Sequence, residues 1–241
     1  METPIETPEG DQPVWPPGWQ VSVVDETGST NADLLRAAAA DAADRTVLAA
    51  LHQTAGRGRL ERRWEAPAGA NLLVSILFRE VPTLPHTLTQ RVALAALDAC
   101  DRVAGVRPTL KWPNDLLLNG LKMAGILAQA DLRERGEQSV VVVGIGLNVG
   151  WAPEGATKLG RGIDPLRVLQ QLLIAYDELP ANPWSLYRES LGTIGQRVNV
   201  ELADSTVAGR AVDVEHDGRL LVVDDEGVRH RFEVGDVVHL R

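Results

Sequence analysis

The most unusual stretch of the sequence is a short segment rich in glycine and arginine. It runs from Gly56 to Trp64, with arginine at positions 57, 59, 62 and 63 and Glu61 as the acidic residue among them. Glycine lets backbone amides approach an oxyanion closely, and guanidinium groups bind phosphate or carboxylate oxygens in pairs. We therefore expect a loop that is mobile alone and orders as a lid over an anionic ligand. The alternative is a solvated basic loop or a short nucleic-acid patch.

A single lysine interrupts an apolar segment further along the chain. Lys122 lies in Leu121–Leu127, directly between Leu121 and Met123, where a solvent-facing position is hard to find. A charged side chain in such a segment is unfavourable unless it meets an anion, so the sequence predicts that Lys122 binds one. The alternative is that Lys122 simply reaches solvent at the start of the strand, beside Asn119 and Gly120.

Three further features carry polar groups or a nucleophile. Lys111–Asp115 opens a turn, and Gly144–Asn148 ends a strand with two glycines and an amide, which suits a backbone close to a ligand. The second feature is weak alone, because glycine and asparagine are common in turns. Cys100 falls in the apolar segment Val92–Val103, which favours a core residue over a catalytic thiol.

The elements that must position these residues follow from the spacing of apolar side chains. The predicted strands are Gln20–Val24, Thr46–His52, Asn71–Phe78, Leu121–Ala130 and Ser139–Leu147, and the predicted helices are Ala32–Ala43, Leu88–Val103, Leu166–Leu179 and Trp184–Leu191. After Gly192 the pattern changes to short alternating segments separated by turns such as Asp217-Gly218, which predicts a small β-barrel. The sequence therefore predicts an α+β fold with a β-barrel behind it.

Composition and charge narrow the class of protein. The chain has 241 residues, a formal net charge of -9 and one cysteine. The acidic balance opposes general binding to nucleic acid, and the single cysteine excludes an intrachain disulfide and fits a reducing compartment. No apolar stretch approaches the roughly 20 residues of a membrane span. We expect a cytoplasmic protein that binds neither DNA nor a membrane, with a disordered or extended tail at residues 1–19.

Five motifs, taken in order, resemble those of the biotin–protein ligases. They are Ser29-Thr30-Asn31, Gln53-x-x-Gly56-Arg57-Gly58-Arg59, Lys111-Trp112-Pro113-Asn114-Asp115, Lys122-x-Ala124-Gly125-Ile126-Leu127 and Gly144-Ile145-Gly146-Leu147-Asn148. The segment Gly195–Arg241 resembles the small C-terminal domain of that family. The resemblance implies a catalytic domain at residues 20–192, similar to class II aminoacyl-tRNA synthetases, and an SH3-like barrel at residues 193–241.

The resemblance also implies a role for each matching residue. The residues implied to bind biotin are Ser29, Thr30, Asn31, Gln53, Arg57, Gly58, Arg59 and Lys122. Those implied to lie near ATP are Trp64, Asn114 and Asn148. Lys122 and Arg59 are the implied catalytic residues, and no residue is expected to bind a metal directly.

The implied reaction has two steps. The carboxylate of biotin attacks the α-phosphorus of ATP, which arrives with Mg²⁺, and forms biotinyl-5′-AMP. A lysine of a biotin carboxyl carrier domain, from an acetyl- or acyl-CoA carboxylase or a pyruvate carboxylase, then attacks the acyl carbon. We expect a monomer or weak homodimer. Because only about 20 residues precede the first predicted strand, an N-terminal DNA-binding domain is not expected.

One departure from the family pattern lies in the arginine-rich loop. The family usually has a third glycine after Arg59, at the position of Leu60 or Glu61, and neither residue is glycine here. We therefore expect a stiffer loop. We also expect the added carboxylate of Glu61 to weaken the affinity of the loop for the intermediate.

Three different functions compete with this interpretation. A lipoate–protein ligase or octanoyl transferase of the same fold would bind a longer acyl chain. A DNA- or RNA-binding regulator would use the arginine-rich loop on nucleic acid, against the acidic balance of the chain. An inactive interaction module built on the barrel would leave Lys122 unexplained.

Overall fold

Two β-sheets follow one another along the chain. The computed structural model describes residues 13–131, 140–202, 204–233 and 235–239. Within them the strands are β1 (Gln20–Thr27), β2 (Thr46–Gln53), β3 (Leu72–Phe78), β4 (Thr109–Lys111), β5 (Asp115–Leu118), β6 (Leu121–Asp131), β7 (Val140–Leu147), β8 (Arg197–Glu201), β9 (Thr206–Val214), β10 (Leu220–Val223), β11 (Arg229–Phe232) and β12 (Asp236–His239). The helices are α1 (Thr30–Ala39), α2 (His86–Ala104), α3 (Pro165–Glu178) and α4 (Trp184–Ser190).

The first sheet has seven strands in the order β1-β2-β3-β7-β6-β5-β4. Strands β1 and β2 are parallel, so the chain needs a crossover between them, and α1 supplies it. The remaining neighbours are antiparallel. Strand β3 lies between β2 and β7 and is buried along its whole length, which explains its mostly apolar sequence.

Helices cover both faces of this sheet. Successive side chains of a strand point to opposite faces. On β3, Leu77 packs with Leu34 of α1, whereas Ile76 and Phe78 belong to the larger core that includes α2 and α3. Because α1 is only ten residues long, it covers part of its face and leaves an open region beyond its N-terminus.

The second sheet is antiparallel, in the order β11-β10-β9-β8-β12, and Trp112 joins it to the first. The indole Nε1 of this buried residue donates to the carbonyl oxygen of Gly218 at 2.9 Å, and its backbone N–H donates to Thr193 Oγ1 at 3.0 Å. His239 Nε2 lies 3.2 Å from the same hydroxyl. Burial, and then the charge of Lys111, lower the pKa of His239. The turn that carries Trp112 is therefore fixed by the second sheet.

The α+β prediction with a β domain behind it is confirmed. Cys100 is a core residue as predicted, and burial raises the pKa of its thiol to about 12. The sequence did not predict the short strands β4 and β5, which have too few residues to show an alternating pattern. Ser139, Leu240, Arg241 and residues 1–12 lie outside the described residues. The domain limits at 19 and 192 stay a prediction.

The expected tail is shorter than predicted, because Trp19 belongs to the core. Its side chain is 7% exposed, and its Nε1 donates to Asp177 Oδ2 at 2.8 Å. The ring meets Tyr176 edge to face at 5.4 Å, and the guanidinium of Arg45 lies 3.9 Å from the ring centroid. Trp19 therefore anchors the segment before β1 to α3. No helix within the described residues has the length and apolar character to cross a membrane.

We predict that Trp19→Ala lowers the free energy of unfolding by about 3–5 kcal/mol, because it leaves a cavity and removes the hydrogen bond to Asp177 Oδ2. The measurement is urea denaturation followed by circular dichroism. Val14→Ala is the matched control, since that side chain is exposed and should change stability by less than about 0.5 kcal/mol. Equal stability of both variants would show that Trp19 does not contribute to the core and belongs to the tail, as the sequence predicts.

Candidate active site

Missing side chains on β7 create a cavity on the face of the first sheet that α1 only partly covers. Val142 packs in the core cluster under α1, but the next two residues on that face are Gly144 and Gly146. A Cβ on Gly144 would lie 2.2 Å from Asn31 Oδ1, and one on Gly146 would lie 2.4 Å from the indole of Trp64. These two glycines therefore let the walls approach the sheet closely. The cavity has a volume of about 350 Å³.

One wall is a hydrogen-bonded network at the N-terminus of α1. Gln53 Oε1 accepts from the backbone N–H of Thr30 at 2.8 Å and lies 3.0 Å from its hydroxyl. Ser75 Oγ donates to Asn31 Oδ1 at 2.6 Å, and Asn31 Nδ2 donates to Gln129 Oε1 at 2.9 Å. Thr30 and Asn31 are buried, so this network fixes the wall rigidly. Its other polar members, Ser75 and Gln129, were not predicted.

Lys122 reaches the cavity because the strand register shifts beside it. Leu117 on β5 pairs with Lys122, while the preceding residue of β5 pairs two positions further on, so Met123 has no partner opposite. An extra residue of this kind re-aims the side chains around it. Met123 is fully buried, and Lys122 Nζ lies 2.7 Å from Asp115 Oδ1 and 5.7 Å from the ring centroid of Trp64. The carboxylate of Asp115 is therefore an anionic partner for Lys122 within the chain itself.

The arginine-rich segment forms a closed loop over the cavity. Backbone hydrogen bonds join Gly58 N–H to Arg62 O at 2.7 Å and Trp64 N–H to Gly56 O at 3.0 Å. Leu60 stands at its tip with φ of 54°, in the left-handed region, and 70% of it is exposed. Leu60 is one of the two positions at which the resemblance led us to expect a third glycine. The side chain of Glu61 lies outside what the structure describes.

The second sheet supplies part of the cavity wall. Arg59 Nη1 donates to the carbonyl oxygen of Gly235 at 3.3 Å and to Asn114 Oδ1 at 3.2 Å. The carboxylate of Asp236 forms an ion pair with Arg62 and lies 3.8 Å from Arg59 Nη1. Residues of β12 and its preceding turn thus hold the loop by three contacts.

Two predicted asparagines brace the backbone around the cavity. Asn114 Nδ2 donates to the carbonyl oxygen of Ile126 at 2.8 Å, and Asn148 Nδ2 donates to that of Thr157 at 3.0 Å. Their amides are therefore already hydrogen-bonded within the protein. Ser29, at the start of α1, is half-buried and makes no side-chain capping hydrogen bond, so its hydroxyl faces the cavity with no helix cap to satisfy.

Charge is distributed unevenly between this cavity and the rest of the chain. Its lining contains five cations, Arg57, Arg59, Arg62, Arg63 and Lys122, against three carboxylates, Glu65, Asp115 and Asp236. The whole chain has a formal net charge of -9. An excess of one charge sign in a concave site raises the local concentration of ligands of the opposite sign. The cavity is therefore suited to a ligand with negative charge.

All the site residues that the sequence predicted line this one cavity. They are Ser29, Thr30, Asn31, Gln53, Arg57, Gly58, Arg59, Trp64, Asn114, Lys122 and Asn148. The sequence analysis missed Ser75, although a lone hydroxyl in the apolar run Leu72–Phe78 was a usable signal. It also missed the ion pairs of Asp115 and Asp236. The first depends on the pairing of β5 with β6, and the second joins residues 174 positions apart.

Comparison with known proteins gives matches to both parts of the fold. Residues 23–148 match the biotin/lipoate A/B protein ligase family, and residues 193–240 match the biotin protein ligase C terminal domain. The chain is 42% identical over 248 residues to the biotin–[acetyl-CoA-carboxylase] ligase of Mycobacterium tuberculosis, covering 93% of this chain and 91% of that protein. It is 32% identical over 211 residues to the bifunctional ligase/repressor BirA of Bacillus subtilis, covering 78% of this chain and 65% of that protein.

A solved structure gives the same result for the fold. The biotin protein ligase from Aquifex aeolicus, in complex with biotin and ATP, has a TM-score of 0.76 and 25% identity, covering 92% of this chain and 99% of that one. The two family matches follow the first and second sheets in order, and the Mycobacterium relative aligns along nearly its whole length. This chain therefore belongs to the biotin protein ligase family.

Proposed function

We propose that this protein is an ATP-dependent biotin–protein ligase that forms biotinyl-5′-AMP and transfers biotin to a carrier lysine. The observation that carries the proposal is the cavity in which five cations gather in an otherwise acidic chain. A carboxylate and a triphosphate repel one another, so bringing them together needs fixed positive charge. A cavity of about 350 Å³ is within the size range of small-molecule sites.

In the first step the carboxylate of biotin attacks the α-phosphorus of ATP. A bond forms between a carboxylate oxygen and that phosphorus, and the bond to the leaving pyrophosphate breaks. Lys122 lies on the cavity floor and is positioned to stabilise charge on the carboxylate and the α-phosphate, while Arg59 and Arg57 approach from the loop. Asp115 holds the lysine at 2.7 Å before substrate arrives. No protein nucleophile takes part.

We assign biotin to the end of the cavity near α1. Ser29 and Gln53 offer a hydroxyl and an amide toward the cavity, and Thr30 and Asn31 hold that wall in place. Gly144 and Gly146 let Asn31 and Trp64 lie directly against the sheet, so these two side chains bound the space for the ligand. We assign the nucleotide to the region of Trp64, Asn114 and Asn148. The Trp64 ring lines this region, and its Nε1 is buried with no hydrogen-bond partner among the described residues.

Magnesium would enter with ATP. Among the described residues no group of three or more His, Cys, Asp or Glu side chains could hold a metal ion. Mg²⁺ is usually held by substrate phosphates together with one or two carboxylates, so the phosphates would supply most of its ligands here.

The partner we propose is a biotin carboxyl carrier domain of an acyl-CoA or pyruvate carboxylase. The support is the name of the Mycobacterium relative, which is a ligase acting on acetyl-CoA carboxylase. The carrier's lysine amine would attack the acyl carbon of biotinyl-5′-AMP, form the amide and release AMP. A reaction that uses ATP favours the cytoplasm, as the sequence predicts, and the monomer or weak homodimer stays a prediction.

The competing functions are less well supported. A lipoate–protein ligase is not favoured, because the curated relatives carry the names of biotin ligases. A regulator that binds nucleic acid would need a basic outer face, whereas the arginines here lie around a cavity. Calorimetric titration with biotin, then with ATP, tests the proposal, and lipoate is the control ligand. Binding of lipoate in preference to biotin would contradict it.

We predict that Lys122→Ala lowers adenylate formation at least about a hundredfold, equivalent to roughly 2.7 kcal/mol of barrier. The reason is the loss of the cation on the cavity floor, with Asp115 left unpaired. Pyrophosphate release in a single turnover is the measurement. Lys158→Ala is the control, because that ammonium donates to the carbonyl oxygen of Gly150 and does not line the cavity. A rate within about tenfold of wild type would remove Lys122 from the mechanism.

We predict that Arg59→Gly lets biotinyl-5′-AMP escape, so that lysines of unrelated proteins become labelled. Arg59 joins the loop to both Asn114 and the second sheet, and its loss opens the cavity to water. The measurement is biotin transferred to serum albumin by each variant. Arg229→Gly, on the outer strand β11, is the control. Labelling no greater than that of the control would show that the loop does not retain the intermediate.

We predict that Leu60→Gly stabilises the closed loop. A left-handed conformation disfavours leucine by about 1–2 kcal/mol, and glycine's extra flexibility offsets roughly 0.5–1 kcal/mol of that gain. The net gain is at most about 1.5 kcal/mol, so amide exchange at Gly58 and Trp64 should slow by up to about tenfold. Leu60→Ala removes the same side chain but keeps the unfavourable conformation. If alanine slows exchange as much as glycine does, the backbone explanation is wrong.

A further inference from the structure

The carboxylate of Asp236 belongs to the second sheet but lies among the arginines of the first. Asp236 begins β12 and lines the cavity described above. It forms an ion pair with Arg62 and lies 3.8 Å from Arg59 Nη1. The side chains of Arg59 and Asp236 are 23% and 22% exposed, so water screens this pair less than an open surface pair.

The loop needs a negative group at this place. Four arginines within seven residues repel one another, and the repulsion between neighbouring guanidinium groups grows as they leave bulk water. Arg63 pairs with Glu65 on its own side of the loop, 3.4 Å away. The described contacts of Arg59 and Arg62 with carboxylates go to Asp236, which is 174 residues from Arg62. A residue far along the chain therefore determines where two of the arginines stand.

We propose that Asp236 is a positioning residue that holds Arg59 and Arg62 over the cavity and thereby retains the acyl-adenylate. The retention rests on the proposed function, whereas the hold on the loop does not. Asp236 acts through the two guanidinium groups and takes no proton from substrate. With the carboxylate removed, the arginines separate, the loop moves away from the cavity and the intermediate dissociates sooner.

Three variants test the proposal with the full chain. Asp236→Asn keeps the shape and removes the charge, and Asp236→Glu restores a carboxylate. Asp225→Asn is the matched control, because Asp225 is also on the second sheet and pairs with Arg197 at 2.6 Å, far from the cavity lining. Circular dichroism and amide exchange in β12 establish that each variant keeps its second sheet.

The first measurement is amide exchange at Gly58 and Trp64 without ligand, since both N–H groups are hydrogen-bonded within the closed loop. We expect Asp236→Asn to speed this exchange about tenfold, the equivalent of roughly 1.4 kcal/mol. Asp236→Glu should recover most of the protection, and Asp225→Asn should match wild type. Unchanged loop exchange in Asp236→Asn would overturn the proposal, whether or not the protein ligates biotin.

The second measurement is dissociation of biotinyl-5′-AMP formed in a single turnover. We expect Asp236→Asn to release it about tenfold faster. Equal release from wild type and Asp236→Asn, or equally fast release from Asp225→Asn, would overturn the retention. If wild type forms no biotinyl-5′-AMP, the proposed function fails, and the exchange result still decides how the loop is held.

Discussion

Repulsion between like charges is the constraint on which the rest of this structure depends. A site that joins a carboxylate to a triphosphate needs several cations close together, and such a group is unstable without ligand. The fold meets this requirement by placing carboxylates from different elements beside three of the cations. Asp115 on β5 pairs with Lys122, Glu65 with Arg63, and Asp236 on β12 with Arg62. The charged site therefore depends on the two sheets being joined.

The cavity itself results from residues that are small or already satisfied. Two glycines on β7 remove side chains from the face beyond α1, and this space is bounded by polar groups that bond to one another. Asn31, Asn114 and Asn148 all use their amides on neighbouring protein groups. Rigid walls of this kind reduce the reorganisation that binding requires. We therefore expect any movement on binding to be confined to the loop that carries the arginines.

The sequence predicted the residues around the cavity better than it predicted their partners. Motifs that lie on one stretch of chain, such as residues 56–64 and 144–148, could be recognised because their chemistry is local. The pairing of Arg62 with Asp236 could not, since it depends on how the second sheet docks. The register shift beside Lys122 depends equally on the neighbouring strand. Leu60 is intermediate: the missing glycine marked the position, but only the backbone gave its left-handed conformation.

The indole of Trp112 has a consequence for how such enzymes can be recombined. It donates to the carbonyl oxygen of Gly218, while the backbone N–H of Trp112 donates to Thr193 Oγ1, directly before the turn that presents Asn114 and Asp115. A chimera that takes its small sheet from another ligase would replace the contacts of Trp112 with Thr193 and Gly218. The turn that follows Trp112 would then shift. Exchange of the small sheet should therefore succeed only when the residues that contact Trp112 and the turn after Trp112 come from the same protein. Through Trp112, the choice of the small sheet also sets the position of two residues in the cavity of the large one.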